Sequence, residues 1–548
     1  MVWDLLLVPA RVLHLGASVS LAGALVFHAA VAPLALRRWL RPLLLLILAA
    51  TLLRMLAFAG AFTAADGLGT ALVALPEVAL SSRIGQALLA QAGLLLAATA
   101  VARRLPPLAA LLALLGQLAP LSASHAAALQ DVMLMAALAV HVLAGTVWLG
   151  GLLPLWCAAG AAALPQARRI LLRFSSIALA MVLLLAGTAM WQAVVMSGGL
   201  PGLLGTTHGL LMLAKSALML ALLALAALNR FVFLPGLRLG ALRRSILAEA
   251  GLGVAVLALA GWLASVPPGL HETPVWPLPW RLLGWEWLAP QGWALILLAA
   301  LTLAPLLTLR LWRLALPLSA CVLLALGAAT TRLRLDWIPA TPTSFQAAPG
   351  GFDTAAILRG EALVTVQPGL RPLLSLTTPA HTTEGDLFWQ AGLAAPALEA
   401  AQRWDVAQFL HARRAGLEWR EEGAWPELLP APDLELLCRE GGPTRLSALR
   451  GQILRLAIGF APTVPGTLSI SLDPGATNAD CTARDPGARH AYALLTGLAA
   501  ETRLDGLWLL VDGQGWLRGS GFHTMPDILE EAALAIGAAP LASARPHH

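Results

Sequence analysis

HVLAGTVWLGGLLPL, residues 141–155, is apolar enough to sit in lipid, yet it opens on an imidazole and sets Gly150 and Gly151 behind Trp148. On a helix, His141, Gly145, Trp148 and Leu152 share one face, at i, i+4, i+7 and i+11. A neutral imidazole is costly in hydrocarbon unless it faces a bundle interior and finds a partner there. Paired glycines let a second helix come close. The stretch therefore predicts one span of a multi-helix membrane bundle, with its polar face turned inward.

The composition of the whole chain agrees. Of its 548 residues 58% are hydrophobic and 12% charged, with a mean hydropathy of +0.75. Soluble domains carry about 25% charged residues. The net charge of +6 does not point to nucleic acid. Lys215 is the only lysine, and the arginines gather in short loops between apolar runs, which is the positive-inside pattern. Cys157, Cys321, Cys438 and Cys481 form neither CxxC nor CxxCH, so neither a zinc site nor covalent haem attachment is expected. The first apolar stretch lacks a basic start and reads as a retained helix rather than a cleaved signal.

A span needs about 20 apolar residues. The runs 9–35, 41–62, 84–103, 105–122, 130–159, 171–196, 209–233, 245–265, 292–311 and 315–332 give a mainly α, polytopic bundle of about ten spans within 1–332. The run 67–80, with Pro76 and Glu77, is too short to span and reads as re-entrant or interfacial. Basic loops follow the first, third, fifth, seventh and ninth spans. They place the N-terminus and everything beyond Arg332 outside, in the periplasm of a bacterial inner membrane.

Five histidines, His14, His125, His141, His208 and His271, then fall in or near the outer half, with Met190, Met196 and Met212 in the same region. Imidazole with thioether suits copper, although a buried histidine bonded to a neighbouring helix is as common a use. His141 sits about 16 Å into its span. His28 lies fourteen residues after His14, but fourteen after His141 stands Leu155, so two stacked haems lack a ligand. One haem b between His14 and His141 is the alternative, and His28 is then structural. Lys215 and Arg54 are intramembrane charges, with Glu77, Asp131 and Glu249 as candidate partners.

Residues 333–350 are a Pro/Thr/Gly linker, after which charges are frequent and apolar runs short. Two soluble regions follow, 351–418 and 430–540, divided near EWREEGAWPELLPAPD. DGQG, residues 512–515, is a hairpin turn. Cys438 and Cys481 are able to bridge in an oxidising compartment, but spacing does not place them within disulfide distance. His523 and Met525 are weaker copper candidates than a plain surface tail.

ARVLHLGA, SHAAAL, HVLAGTVWLGGLLPL, THGLLMLAKSALMLALLALAALNR and PPGLHETPVWPLPW, in that order over roughly residues 5–285, resemble the copper resistance protein D (CopD) family. The resemblance implies an inner-membrane protein of copper uptake or handling, with copper ion and membrane lipid as partners. It carries His14, His125, His141 and His271 over as metal positions, while His208 departs from the pattern. AAILRGEALVTVQPG, TEGDLFWQAGL and RWDVAQFLHARR resemble a c-type cytochrome domain, and residues 430–548 a thioredoxin-like α/β domain. No cysteine lies between Arg359 and Arg414, and APTVPG stands where the redox CxxC belongs. Both modules are thus expected to be redox-dead, serving for docking, for example to a periplasmic copper chaperone or client enzyme. Three readings stay open: a non-enzymatic copper transport or handling protein, a haem-b oxidoreductase, and an assembly factor for a copper enzyme.

Overall fold

The computed structural model describes residues 2–34, 36–128, 130–236, 238–282, 337–375, 382–425, 428–459, 464–498, 504–522, 526–538 and 541. The chain divides into two units, one of Met1–Thr273 and Leu282–Trp337, the other of Pro274–Arg281 and Ile338–His548.

The first unit is helical: α1 (Val2–Ala30), α2 (Leu36–Phe62), α3 (Leu68–Ser81), α4 (Arg83–Val101), α5 (Pro106–Leu118), α6 (His125–Ala128), α7 (Val132–Ala161), α8 (Leu164–Ser197), α9 (Leu200–Gly205), α10 (Thr207–Leu228) and α11 (Leu239–Leu263). Among the described residues eight helices are long and apolar enough to cross a membrane: Trp3–Ala30, Leu40–Phe62, Arg83–Val101, Pro106–Ala123, Val132–Ala161, Leu164–Ser197, Thr207–Phe233 and Leu239–Leu263. They match the first eight apolar runs; 292–311 and 315–332 lie outside the described residues. The short run with Pro76 is the helix α3.

Small residues set the helix crossings. A β-carbon on Gly23 would lie 2.4 Å from the Gly150 backbone, and one on Gly150 2.3 Å from the Val19 carbonyl oxygen. The α1 and α7 backbones therefore touch, as glycine pairing predicts. Gly151 is filled instead by the Phe174 ring of α8. Trp148, between these contacts, is 1% exposed and joins Phe27, Leu152, Phe174, Leu222 and Ile246 in one apolar core. A second core holds Leu21, Leu25, Ile47, Leu95 and Ala109, from α1, α2, α4 and α5.

The second unit has helices α12 (Thr354–Val366), α13 (Glu384–Ala394), α14 (Ala400–Glu422), α15 (Ala488–Leu494) and α16 (Pro526–Ala538). Two short strands, β1 (Trp280–Leu282) and β2 (Trp337–Pro339), form a two-stranded sheet. A seven-stranded sheet follows, of β3 (Glu435–Cys438), β4 (Gly442–Arg445), β5 (Ile453–Ala457), β6 (Thr467–Ser471), β7 (Cys481–Ala483), β8 (Leu507–Val511) and β9 (Leu517–Phe522), in the order β4-β3-β7-β6-β5-β8-β9. β5 pairs parallel with β6 and antiparallel with β8. The regions read as two modules share one hydrophobic core, from Ile357 and Phe409 through Leu436 and Leu456 to Leu517. The stretch read as a linker is packed too. Thr341 and Ser344 donate to the Asp386 carboxylate, and Thr383 donates to it through both backbone N–H and hydroxyl. Gly360, in the RG pair read as a cytochrome signature, admits α14: a β-carbon there would meet the Asp405 carbonyl at 2.0 Å. Tyr492 is fully buried and donates its phenol to the Pro432 carbonyl at 2.6 Å.

Cys438 and Cys481 stand opposite one another on antiparallel β3 and β7 and are disulfide-bonded, which answers the question their spacing left open. The bond closes a loop with a sequence separation of 43. Cys438→Ser is expected to destabilise this unit by about 3 kcal/mol, read as a lower denaturant midpoint that reducing agent reproduces in the wild type and leaves unmoved in the variant.

Burial pushes Glu384, at the start of α13, up to about 7, against a bond from the Ala348 N–H. A carboxyl that holds its proton more tightly folded than unfolded stabilises the fold below about 4.5 and loses that contribution as pH rises through about 7. Burial lowers His411 to about 4, which works the other way: its contribution is present above 6.5 and is lost as pH falls through about 4. Glu384→Gln is expected to raise the melting temperature at a pH of about 8, with the gain vanishing at about 4. A pH-independent effect would remove Glu384 as the cause.

Candidate functional site

Three contacts run α7 antiparallel to α8: His141 with Thr188, Gly145 with Leu185, and Gly151 with Phe174. The C-terminal end of α8 meets the turn Gly269–His271, where Gly198 lies against Leu270. That turn follows α11, and the two residues just after α11, Ala264 and Ser265, accept hydrogen bonds from Arg11 of α1. The starts of α1 and α7 and the ends of α8 and α11 thus lie at one end of the bundle, the end that holds the sequence-derived histidines.

His14 and His141 lie at one depth there. Each precedes its glycine of the touching pair, Gly23 or Gly150, by nine residues, about 13.5 Å along the helix. Nine residues also turn the helix two and a half times, so each ring leaves the α1–α7 contact on the far side. The hydrogen bonds agree. His14 Nδ1 meets Arg54 Nη1 of α2 at 3.0 Å, and His141 Nδ1 meets Thr188 Oγ1 of α8 at 3.1 Å. The two rings serve different helix pairs.

The partners assign the tautomers. Thr188 spends its single hydroxyl proton on the Leu184 carbonyl at 2.7 Å. Its oxygen then accepts from His141 Nδ1–H, and His141 Nε2 keeps the lone pair a metal needs. A guanidinium only donates, so His14 Nδ1 accepts from Arg54 and its Nε2 carries the proton. Lys215 of α10 lies within electrostatic reach of His141.

The other positions are distributed as follows. His28 Nδ1 accepts from the Leu34 N–H at 2.9 Å and closes the turn after α1, a structural use. His208 is 3% exposed in the first turn of α10. His271 is exposed on the turn Gly269–His271, and its neighbour Glu272 accepts from the Thr207 N–H at 3.0 Å, so His208 and His271 share an end. His125 opens α6, but its side chain lies outside the described residues, as do His523 and Met525. Among the described residues no three His, Cys, Asp or Glu side chains gather so as to hold a metal ion. Of the partners considered for Lys215, Asp131 caps α7, accepting from the Met133 and Leu134 N–H groups, and Glu77 is exposed on α3. Glu249 accepts from Asn229.

A mainly apolar cavity holding a few polar side chains, toward the opposite end of the bundle, was missed in the sequence. Trp148, Phe174, Ser175, Asn229, Arg230 and Glu249 are among the residues that line it. Arg230 donates to Ser175 at 2.8 Å, and Asn229 Oδ1 is buried with no hydrogen-bond partner among the described residues. The chain bulges into a π-helical turn, Asn229–Phe233, at this point. Such turns recur at functional sites. The signal in the sequence was polar residues inside apolar runs, in RFSS, ALNR and LAEAG.

Residues 168–263 match the family model of copper resistance protein D, CopD. The CopD match runs from α8 to the end of α11 and includes Thr188, Lys215, Asn229 and Glu249, while His14 and His141 precede it. Together with the long apolar helices, it fits a copper resistance or copper-handling membrane protein. No curated protein and no solved structure matches the chain.

Proposed function

We propose that the chain binds copper at the bundle end holding His141 and moves or relays it across the inner membrane, without catalysing a reaction. The observation that carries this is the His141–Thr188 bond: it frees Nε2 for a metal and ties that ring to the CopD-matched helices. His208 and His271, and His125 by its place in the chain, are the further imidazoles at that end. Ser175, Asn229, Arg230 and Glu249, in the otherwise apolar cavity, offer polar groups farther along the membrane path. Imidazole favours copper over the hard cations. Against a haem b held by His14 and His141 stands the divergence of the two rings.

The disulfide supports a periplasmic second unit, since such bonds persist in oxidising compartments. The strand order β6-β5-β8-β9, with β5 parallel to β6, supports thioredoxin-like ancestry. The missing thiol pair there and the missing haem cysteines before it leave docking of a copper chaperone or client enzyme as its role. Metal analysis with an optical spectrum on the purified full-length chain tests the reading. About one bound copper and no Soret band is the expected result. A Soret band at about one haem per chain, with no copper, would replace it with the haem reading.

A further inference from the structure

We propose that Arg11, His14 and Arg54 form a binding site for a phosphate-class oxyanion at the end of the bundle where α1 begins. The inference does not rest on copper.

Arg54 projects from the middle of an apolar helix, and Arg11 lies within electrostatic reach of it. Their partners are all neutral. Arg54 donates to His14 Nδ1; Arg11 donates to the Ala264 carbonyl and the Ser265 hydroxyl. Among the described residues no carboxylate pairs with either guanidinium. Charges inside spans ordinarily pair with one another, with backbone carbonyls or with a ligand; Arg11 has a carbonyl, but neither guanidinium has a counter-charge among the described residues. Two like charges without a counter-charge repel, the more strongly the lower the local dielectric. An oxyanion offsets both, and the guanidinium fork fits a phosphate in two-pronged fashion.

His14 points to the same chemistry. It is 2% exposed, and with Nδ1 taken by Arg54 its remaining nitrogen is a donor. Nε2 has no hydrogen-bond partner among the described residues. A buried N–H on a ring bonded to the Arg54 guanidinium, which Arg11 reaches electrostatically, suits an anion and repels a metal cation. The site is shallow enough to be reached: Arg11 is tied to the residues where α11 ends, and His14 lies one turn deeper on the same face. Phosphate at that level comes from a lipid headgroup or from the aqueous phase, and the chemistry is shared.

The test uses the full-length chain in maltoside detergent, with copper absent. One arm titrates inorganic phosphate by equilibrium dialysis. The other adds phosphatidylglycerol and counts retained lipid by native mass spectrometry. About one saturable phosphate-bearing ligand per chain is expected, weakened roughly 10-fold or more in Arg54→Gln and in Arg11→Gln, and unchanged in Arg83→Gln, an exposed control. Saturation by inorganic phosphate identifies the aqueous source; retention of lipid alone identifies the headgroup. If Arg54→Gln does not purify as a folded species, Arg11→Gln decides. Absence of saturable binding in both arms, or binding equal to wild type in the arginine variants, overturns the proposal.

Discussion

Gly150→Val is expected to abolish the folded bundle, while Gly93→Val leaves it intact. The physical reason is backbone, not side chain. A β-carbon at 150 would sit 2.3 Å from the Val19 carbonyl oxygen and 2.8 Å from the Gly23 α-carbon, so no rotamer change relieves it. α1 would have to withdraw from α7, and α1 also packs on α2, α5 and α11, so the displacement spreads through both apolar cores of the unit. Overpacking usually costs about 1–3 kcal/mol; here, with no flexible neighbour to yield, a cost on the order of 3 kcal/mol or more is expected. Gly93 faces open space on α4 and provides the control for helix propensity and added bulk. Size-exclusion elution after a heating series is the measurement. A Gly150 variant as heat-resistant as wild type would mean that the two helices do not touch there.

His141→Ala should lower copper affinity by roughly 100-fold, and Thr188→Val by roughly 10-fold, with elution profiles unchanged. The ranking follows from the hydrogen-bond chain. Removing the ring removes the donor atom. Removing the Thr188 hydroxyl leaves the ring but releases the tautomer and orientation that point Nε2 as a ligand. His14→Ala is the informative contrast, because its lone pair is already occupied by Arg54. It should leave copper stoichiometry unchanged. Equal losses in His14→Ala and His141→Ala would mean that Arg54 gives way and both rings bind metal.

The bundle was readable in the sequence because a span is a matter of length and hydropathy. The first eight runs fall within seven residues of the helices at every end, and Gly150 and Gly151 behind Trp148 correctly announced close packing. Rotation about each helix axis was harder to read. The runs set His14 nearer the start of its span than His141, whereas the Gly23–Gly150 contact puts them level; which neighbour each faces depends on which helices touch. That is settled by Gly23 meeting Gly150, a contact between residues far apart in the chain. The Asn229–Glu249 cavity was hidden for a related reason: its polar groups, Ser175, Asn229, Arg230 and Glu249, come from α8, the π-helical turn and α11, and that turn has no spacing rule. In the second unit, composition marked a boundary at residues 333–350. It could not show that Thr341 and Ser344 would be captured by Asp386, nor that the two halves would share one core.

The buried phenol of Tyr492 belongs to the chain's single tyrosine. Burial holds it well above its usual range. Alkaline phenolate absorbance in the intact protein should therefore stay silent until this unit opens, and then appear as a one-residue signal. Tryptophan emission, from 19 indoles spread over the whole polypeptide, gives no such separation. The molecule thus carries its own optical label for one half, by which loss of that half can be timed against loss of the membrane half without attaching a dye.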